Sequence, residues 1–249
     1  MTMIPADGVI KVFTGSYKIA DRTVRVTSLY EDVHTYCSDY RIDMAEDPDI
    51  EVVISQDDID YERSRSGNPE VYRAIYLEEL AVYRKIAEKM PYYDSFLMHG
   101  SVVAVDGEAY MFTAKSGTGK STHAALWRRL LGDRAVMVND DKPIINAAGG
   151  KATVYGTPYN GKHHLGNNIS VPLKAVCILR RGDVNRISEI SREEAYPVLL
   201  QQIYRPSDKD AFVRTLTLID ELTKSVKFYI LNCNMDINAA QTAYNAMKG

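Results

Sequence analysis

The chain has 249 residues, of which 45% are hydrophobic and 25% charged, a composition that excludes a wholly disordered, collagen-like or coiled-coil protein. The formal net charge is −3, but residues 1–94 hold 19 acids and 11 bases (net −8), whereas residues 95–249 hold 14 acids and 19 bases (net +5). The excess of +5 suits phosphate-bearing small molecules and is too weak to indicate a nucleic-acid partner, although ordinary solvated surfaces can show the same asymmetry.

The cysteines and the N-terminus indicate the compartment. Cys37, Cys177 and Cys233 form neither a CxxC pair nor a disulfide framework, which favours a reducing environment. No apolar run approaches the roughly 18 residues of a membrane span, and residues 1–8 lack the order of a secretion signal. We expect a cytoplasmic protein that has no membrane partner, and the sequence leaves a homo-oligomer open.

Residues 1–94 predict an N-terminal α/β lobe. The pattern predicts two strands around a turn, a third apolar strand, a polar linker or mobile loop that ends in Gly67-Asn68-Pro69, and a helix stopped by Pro91. These elements are, in order, Lys11–Ala20, Thr23–Leu29, Ile50–Ser55, Gln56–Pro69 and Glu70–Met90.

Residues 95–249 predict a second domain in which strands and helices alternate. A hairpin turns at Asp106-Gly107, and Ser191 with Glu194 forms a capping-box pattern before a helix that Pro197 is expected to disturb. The predicted strands are Ser101–Val105, Ala109–Thr113, Ala135–Asn139, Lys174–Leu179 and Lys227–Leu231, and the other predicted helices are Thr122–Leu131, Ala211–Leu222 and Ile237–Met247. The alternation indicates an α/β fold with a twisted mixed β-sheet and flanking helices.

The strongest motif is the segment Ala114–Ser121, AKSGTGKS, between a predicted strand and a predicted helix. This is the context of a phosphate-binding P-loop, whose backbone N–H groups and helix N-terminus attract phosphate oxygens. Ala114 stands where the GxxxxGK[ST] pattern has glycine, which is tolerable if its φ is negative; the alternative is a fortuitous turn. The residues expected to bind a nucleotide are Ser116, Gly117, Thr118, Gly119, Lys120, Ser121 and Thr122.

Two adjacent acids, Asp140 and Asp141, follow the predicted strand Ala135–Asn139. If that strand runs parallel to the P-loop strand, the acids lie at the same carboxyl edge, where ligands of open α/β sheets bind. One carboxylate can hold Mg²⁺ and the other can accept a proton from a hydroxyl. The alternative is a solvated turn, which Asp pairs commonly form.

Three further features are ambiguous. His99 can be structural or can lie beside the site. The loop Gly156–Asn168 contains Lys162, His163 and His164, and it either faces a substrate or is a plain surface loop; a zinc site is disfavoured because no third ligand is near. Arg205 either approaches a transferred phosphate or interacts favourably with the dipole at a helix C-terminus.

The order of His99-Gly100, the strand pair, the P-loop and Asp140-Asp141 resembles bacterial HPr kinase/phosphorylase. It is also similar to the nucleotide-binding core of phosphoenolpyruvate carboxykinase, and Gly156–Leu173 and Arg205-Pro206 resemble the small carboxykinase-like kinases. The resemblance covers roughly residues 95–245. It implies a P-loop kinase-like core in residues 95–249, with Asp140 as base, His99 beside the catalytic centre, Lys120 on phosphate, and Ser121 and Asp141 on Mg²⁺.

Two departures from these families narrow the reactions and substrates that the resemblance implies. Residues 156–168 contain no acid, so the metal-binding glutamate of the HPr kinase signature has no counterpart, which argues against HPr as substrate and against phosphorolysis. The carboxykinase Lys/His metal arrangement is not evident either, which argues against decarboxylation.

The sequence therefore supports an ATP- and Mg²⁺-dependent kinase that phosphorylates a hydroxyl of a protein, a peptide or a small molecule. The catalytic residues expected are Asp140, His99, Lys120 and Arg205. The alternative is a nucleotide-binding regulatory or switch module without phosphotransfer. A GTPase is disfavoured because the chain has no NKxD segment.

Overall fold

The computed structural model describes residues 11–67 and 70–249. The chain divides into two units, Met1–Lys89 and Met90–Gly249, and the fold is α/β with mixed β-sheets and flanking helices, as the sequence predicts. The second unit begins five residues before the expected boundary at residue 95, because the 3-10 turn Met90–Tyr93 contacts elements of that unit.

The first unit contains a four-stranded sheet in the order β3-β1-β2-β4. Its elements are β1 (Phe13–Ile19), β2 (Arg22–Ser28), α1 (Asp32–Tyr36), β3 (Arg41–Ile42), β4 (Ile50–Val53), α2 (Gln56–Arg65) and α3 (Ala74–Lys89). The predicted hairpin is confirmed, because β1 and β2 pair antiparallel around Ala20 and Asp21, both of which have positive φ.

The predicted polar linker Gln56–Pro69 is wrong over most of its length, because residues 56–65 form the helix α2. Ser55 and Asp58 form a capping box at its start. Its acids then face cations of α3: Asp58 pairs with Arg84 at 3.2 Å and with Lys85 at 2.7 Å. The polarity of the segment therefore belongs to one side of a helix pair, and Asn68-Pro69 lie outside the described residues.

The second unit contains one nine-stranded sheet with α-helices around it. Its elements are β5 (Ser95–Leu97), β6 (Ser101–Val105), β7 (Glu108–Thr113), α4 (Lys120–Leu131), β8 (Ala135–Asn139), β9 (Ile144–Asn146), β10 (Thr153–Tyr155), β11 (Ser170–Arg181), β12 (Arg186–Ile190), α5 (Arg192–Gln202), α6 (Lys209–Ser225), β13 (Lys227–Cys233) and α7 (Ile237–Met247). Pro197 does not end α5, because buried Ala195 and Leu199 anchor the helix on both sides of it.

The strand order of this sheet is β5-β9-β10-β11-β7-β6-β8, and β13 also pairs with β11 and carries β12 at its other edge. Side chains alternate across the strands, so Val102 and Met111 enter one core cluster whereas Val103 and Phe112 enter the other. Residues of α5 and α6 complete the first cluster, and residues of α4 and α7 complete the second.

Within residues 11–67 and 70–249, no helix is long and apolar enough to cross a bilayer.

Candidate functional site

Four strands of the second unit run in one direction and end at the same edge of the sheet. β7 and β8 are each antiparallel to β6, and β11 is parallel to both β7 and β13. The expected common direction of the P-loop strand and the strand before Asp140 is therefore confirmed, with β6 inserted between them. The P-loop, the Asp pair and the turns after β11 and β13 all follow from this edge, where α/β sheets bind ligands.

The P-loop connects β7 to α4. Gly117 has a φ of 78° and Gly119, the N-cap of α4, has a φ of 121°, so both occupy backbone conformations that side chains rarely adopt. Ala114 has no positive φ and is buried in the core, which meets the condition for alanine at the first position of the motif. The local sequence thus explains the curl of this loop.

Lys120 is the first residue of α4 and is only 7% exposed. Its Nζ donates a hydrogen bond to the carbonyl of Ala114 at 3.1 Å, which folds the side chain back across the loop. Burial lowers the pKa of Lys120, while the charges of Asp141 and Asp140 act in the opposite direction. A lysine held in this way can exchange its carbonyl partner for a phosphate oxygen.

The side chain of Asn139 shapes the turn that carries the two acids. Its Oδ1 accepts from the backbone N–H groups of Asp141 (2.9 Å) and Lys142 (2.8 Å), and its Nδ2 donates to Thr157 Oγ1 at 3.0 Å and to the Thr157 carbonyl at 3.1 Å. Asn139 is fully buried. One amide therefore joins the Asp pair to the start of the Gly156–Asn168 loop.

Asp140 and Asp141 have different partners. Asp140 is 6% exposed and accepts a hydrogen bond from Ser101 Oγ at 2.7 Å. Asp141 is more exposed and pairs with His99 Nε2 at 3.3 Å. His99 is itself fixed by its backbone N–H, which donates to the Gln202 carbonyl at 2.7 Å.

The two acids also differ in their proton affinity. Burial raises the pKa of Asp140, although hydrogen bonds from Ser101 and Ser121 oppose the shift. Desolvation acts in the same direction on Asp141, but the hydrogen bond from His99 and the charges of Lys142 and Lys120 hold its pKa below the usual value. Ser121, expected beside Asp141 at a metal ion, lies close enough to Asp140 to lower the pKa of that acid.

The Gly156–Asn168 loop is anchored at both ends and reaches the Asp pair at its middle. The N–H of Gly156 donates to the Ile169 carbonyl (2.9 Å), and the N–H of Asn167 donates to the Val138 carbonyl (3.1 Å). A Cβ at position 161 would lie 3.3 Å from Asp141 Cβ. The middle of the loop is therefore near the acids.

A cavity of about 460 Å³ lies among the P-loop, the Asp pair and this loop. Its lining contains most of the residues expected from the sequence, namely His99, Ser116, Gly117, Gly119, Lys120, Ser121, Thr122, Asp140, Asp141, Lys162 and His163, together with Gly161. Thr118 instead lines a neighbouring cavity. His164 lines neither cavity and has a φ of 49° at the exposed turn.

Arg205 does not join this group, in contrast to the catalytic role expected for it. It is exposed, and its Nη2 donates to the Leu200 carbonyl at 3.0 Å, near the end of α5. Orphan carbonyls at a helix C-terminus attract such a cation. The structure therefore supports the helix-end interpretation of this residue.

Arg181, at the end of β11, is a site residue that the sequence reasoning missed. Its guanidinium donates to the Gly117 carbonyl through Nη2 and to the Thr118 carbonyl through Nε at 3.5 Å. Its only sequence signal is a cation at the end of a buried strand, because its contact with the P-loop depends on the pairing of β11 with β7.

The residues of the cavity fit a triphosphate with Mg²⁺. A buried lysine, a helix N-terminus and glycines with positive φ suit phosphate. One or two carboxylates and a hydroxyl suit Mg²⁺, which takes its other ligands from phosphates and water. Among the described residues, no group of three or more His, Cys, Asp or Glu side chains could hold a metal without such help.

Comparisons with known proteins place the chain in a family. The HPr(Ser) kinase/phosphatase from Coxiella burnetii is a similar solved structure, with 11% sequence identity and a TM-score of 0.32 over 61% of this chain and 99% of that one. None of the curated proteins compared with the chain matches it. The family model of SynChlorMet cassette protein ScmC matches residues 72–241, more than half of the chain, so this protein belongs to the ScmC family.

Proposed function

We propose that the protein is a kinase that binds ATP with Mg²⁺ and transfers the terminal phosphoryl group to a hydroxyl of a protein, a peptide or a small molecule. The observation that carries this proposal is that one cavity is lined by the P-loop residues Lys120 and Ser121, by both acids and by His163. Phosphoryl transfer needs this combination of a phosphate cradle, a metal site and a proton acceptor.

The nucleotide would be held by the backbone of residues 116–119 and by Lys120, and Mg²⁺ by Ser121 and Asp141. Mg²⁺ supplies offsetting charge on the phosphate oxygens. The charge of Lys120, which also lies close enough to Asp141 to affect its ionisation, adds to this effect. These residues bind and orient the donor and leave proton transfer to Asp140.

Asp140 is the proposed base. Its carboxylate lies in the cavity wall and already accepts a hydrogen bond from the Ser101 hydroxyl at 2.7 Å, which is the contact that an attacking hydroxyl would need. Asp141 is less free for this task, because one of its oxygens faces His99. His99 then acts as a positioning residue for Asp141.

Ser121 lines the same cavity as Asp140 and lowers its pKa, which favours a second assignment, in which Asp140 holds Mg²⁺ and Asp141 accepts the proton. Substitution separates the two assignments. Loss of the base should lower turnover about 10²- to 10⁴-fold with little change in the Mg²⁺ requirement. Loss of the metal ligand should raise the Mg²⁺ concentration needed for half-maximal rate.

The experiment uses purified protein, labelled ATP, Mg²⁺ and a panel of hydroxyl acceptors, with wild type, Asp140→Asn and Asp141→Asn compared. We expect Asp140→Asn to lose turnover and Asp141→Asn to shift the Mg²⁺ dependence. The reverse pattern would exchange the two roles. Full phosphoryl transfer by both variants would contradict the roles given to the two acids, and no transfer by the wild type to any acceptor would contradict the kinase proposal.

ATP binding is measured separately by calorimetry. Lys120→Ala should abolish it, whereas Lys115→Ala, at an exposed position of the same loop, should change it little. Binding that depends on Lys120 without phosphate transfer to any acceptor would favour the regulatory module over the kinase.

A further inference from the structure

A second cavity, of about 520 Å³, lies next to the first. The two cavities share Gly117, Gly119 and Thr122 in their walls. The rest of the second cavity is built from α4 and from the carboxyl ends of β11 and β13, and its lining includes Leu126, Leu179, Arg181, Asp183, Cys233 and Met235. A single extended ligand could therefore occupy both cavities by crossing the P-loop.

We infer that the second cavity takes the purine nucleoside part of the triphosphate whose phosphates bind in the first cavity. This inference rests on the proposed function, because it needs a nucleotide at the P-loop. It adds the residues that recognise the base and the ribose.

The apolar wall suits a flat ring. Leu126 and Leu179 are 8% and 4% exposed and line the cavity. Met235, in contrast, is 80% exposed although it also lines the cavity. A thioether side chain adapts its shape and packs well on aromatic rings, so a purine between Met235 and the leucines would cover apolar surface that is now in water.

The turn that carries Met235 is held in place. Asn234 Nδ2 donates to the Asp183 carbonyl at 3.1 Å, and Asn234 Oδ1 accepts from the Asp236 N–H at 3.0 Å. The N–H of Asn234 also donates to Asn185 Oδ1 at 3.0 Å. The turns after β11 and β13 are thereby joined, which presets the mouth of the cavity before any ligand arrives.

The charged groups suit a nucleoside as well. The exposed carboxylate of Asp183 accepts hydrogen bonds when ionised and cannot donate them. Ribose hydroxyls and the exocyclic amine of adenine are donors that suit it. Arg181 lies against the carbonyls of Gly117 and Thr118, on the P-loop side of the same cavity, where its positive charge favours the phosphates. The cavity thus offers acceptors to the nucleoside and donors to the phosphates.

Cys233 provides a probe in the unmodified protein. It lines the second cavity and is half-buried, whereas Cys37 and Cys177 are buried. Iodoacetamide labelling of each cysteine is followed by mass spectrometry with no ligand, with Mg²⁺-ATP or with inorganic tripolyphosphate. At about ten times the dissociation constant, ATP should slow labelling of Cys233 about tenfold. Tripolyphosphate, which lacks the nucleoside, should leave the rate nearly unchanged.

Affinity gives a second readout. Met235→Ala should weaken ATP binding about two- to tenfold, the range for a lost thioether–ring contact, and should not change tripolyphosphate binding. Val184→Ala is the matched control, because Val184 is 70% exposed in the neighbouring turn and does not line the cavity.

The outcomes separate this inference from the proposed function. Equal affinities for ATP and tripolyphosphate, with no protection of Cys233 and no effect of Met235→Ala, would overturn the nucleoside site. Dependence of both ligands on Lys120 would then still support the phosphate site. Absence of binding of either ligand would overturn both proposals.

Discussion

Arg181 shows how one side chain can control the conformation of a phosphate loop. Its guanidinium binds the carbonyls of Gly117 and Thr118 on the side of the second cavity. The guanidinium offsets the negative ends of these carbonyls beside the phosphate site and, together with the hydrogen bond from the Thr118 N–H to the Lys115 carbonyl at 3.2 Å, holds the conformation of the loop. The arginine therefore acts on the phosphate site through the backbone.

Arg181→Gln should weaken the binding of both ATP and tripolyphosphate about three- to tenfold, because the loop loses charge-assisted hydrogen bonds. Calorimetry with the two ligands measures the effect. Arg180→Gln is the control, because Arg180 is also exposed and precedes Arg181 on β11, where successive side chains point to opposite faces. Unchanged affinities in Arg181→Gln would refute the positioning role.

The Gly156–Asn168 loop is the element that joins the Asp pair to the outer wall of the first cavity. Its ends are fixed by backbone hydrogen bonds and by Asn139, whereas its central residues 162–164 are exposed. Because the ends of the loop are anchored, they limit how far the central residues can move. The central residues therefore stay near the first cavity.

His163 and His164 form a natural pair of test and control variants, because only His163 lines the cavity. His163→Ala should lower turnover about tenfold or more, since it removes a donor near the transferred group, while ATP affinity changes little. His164→Ala should leave turnover near that of wild type. Similar rates in all three proteins would confine this loop to a structural role.

The entry to this loop leaves no room for a side chain. A Cβ at Gly156 would lie 1.9 Å from the Asn167 carbonyl oxygen and 2.7 Å from that of Val138. Gly156→Ala should therefore lower the free energy of unfolding by about 2 kcal/mol or more, measured by urea denaturation. At Gly67 an added Cβ meets nothing within 4 Å, so Gly67→Ala should stay within about 0.5 kcal/mol of wild type. A stable Gly156→Ala protein would show that the loop ends can separate.

At the scale of the whole molecule, each of the two units contains a buried polar side chain that joins two of its elements by hydrogen bonds, which is here called a tie. In the first unit, Glu78 of α3 is fully buried and accepts hydrogen bonds from the N–H groups of Leu29 (2.6 Å) and Tyr30 (3.0 Å). It thereby fixes α3 to the end of β2. In the second unit, Asn139 serves a comparable purpose between β8 and the Gly156–Asn168 loop.

The tie at Glu78 should make the first unit sensitive to pH. Burial raises the pKa of Glu78 from 4.5 to about 7, although its two backbone hydrogen bonds oppose the shift. A folded-state pKa above the unfolded one favours the protonated fold, so the contribution of Glu78 to stability is fully present below about pH 4.5 and is lost as the pH rises through 7. Urea denaturation at several pH values should show this decrease, on the order of 1–3 kcal/mol. Glu78→Gln should remove that slope, and an unchanged slope would contradict the assignment.

Much of the fold follows from local patterns in the sequence. The hairpin at Asp106-Gly107, the strand before the P-loop and the helix after it are all encoded within a few residues, and the predicted bounds of the closing helix, Ile237–Met247, match the structure. Gln56–Arg65 escaped prediction because the segment is polar, although its capping box is a local signal, and its ion pairs with α3 become visible only in the folded unit.

The sequence by itself determined the P-loop and the position of Asp140 and Asp141 at the same edge of the sheet. Both features depend only on neighbouring residues and on where strands end. The tertiary structure decided which acid binds Ser101 and which binds His99, that Arg181 reaches the P-loop, and that Arg205 does not. These outcomes depend on the order of the strands in the sheet, with β6 between β7 and β8 and β11 beside β7. Strand order results from the packing of the whole unit, which no local pattern specifies.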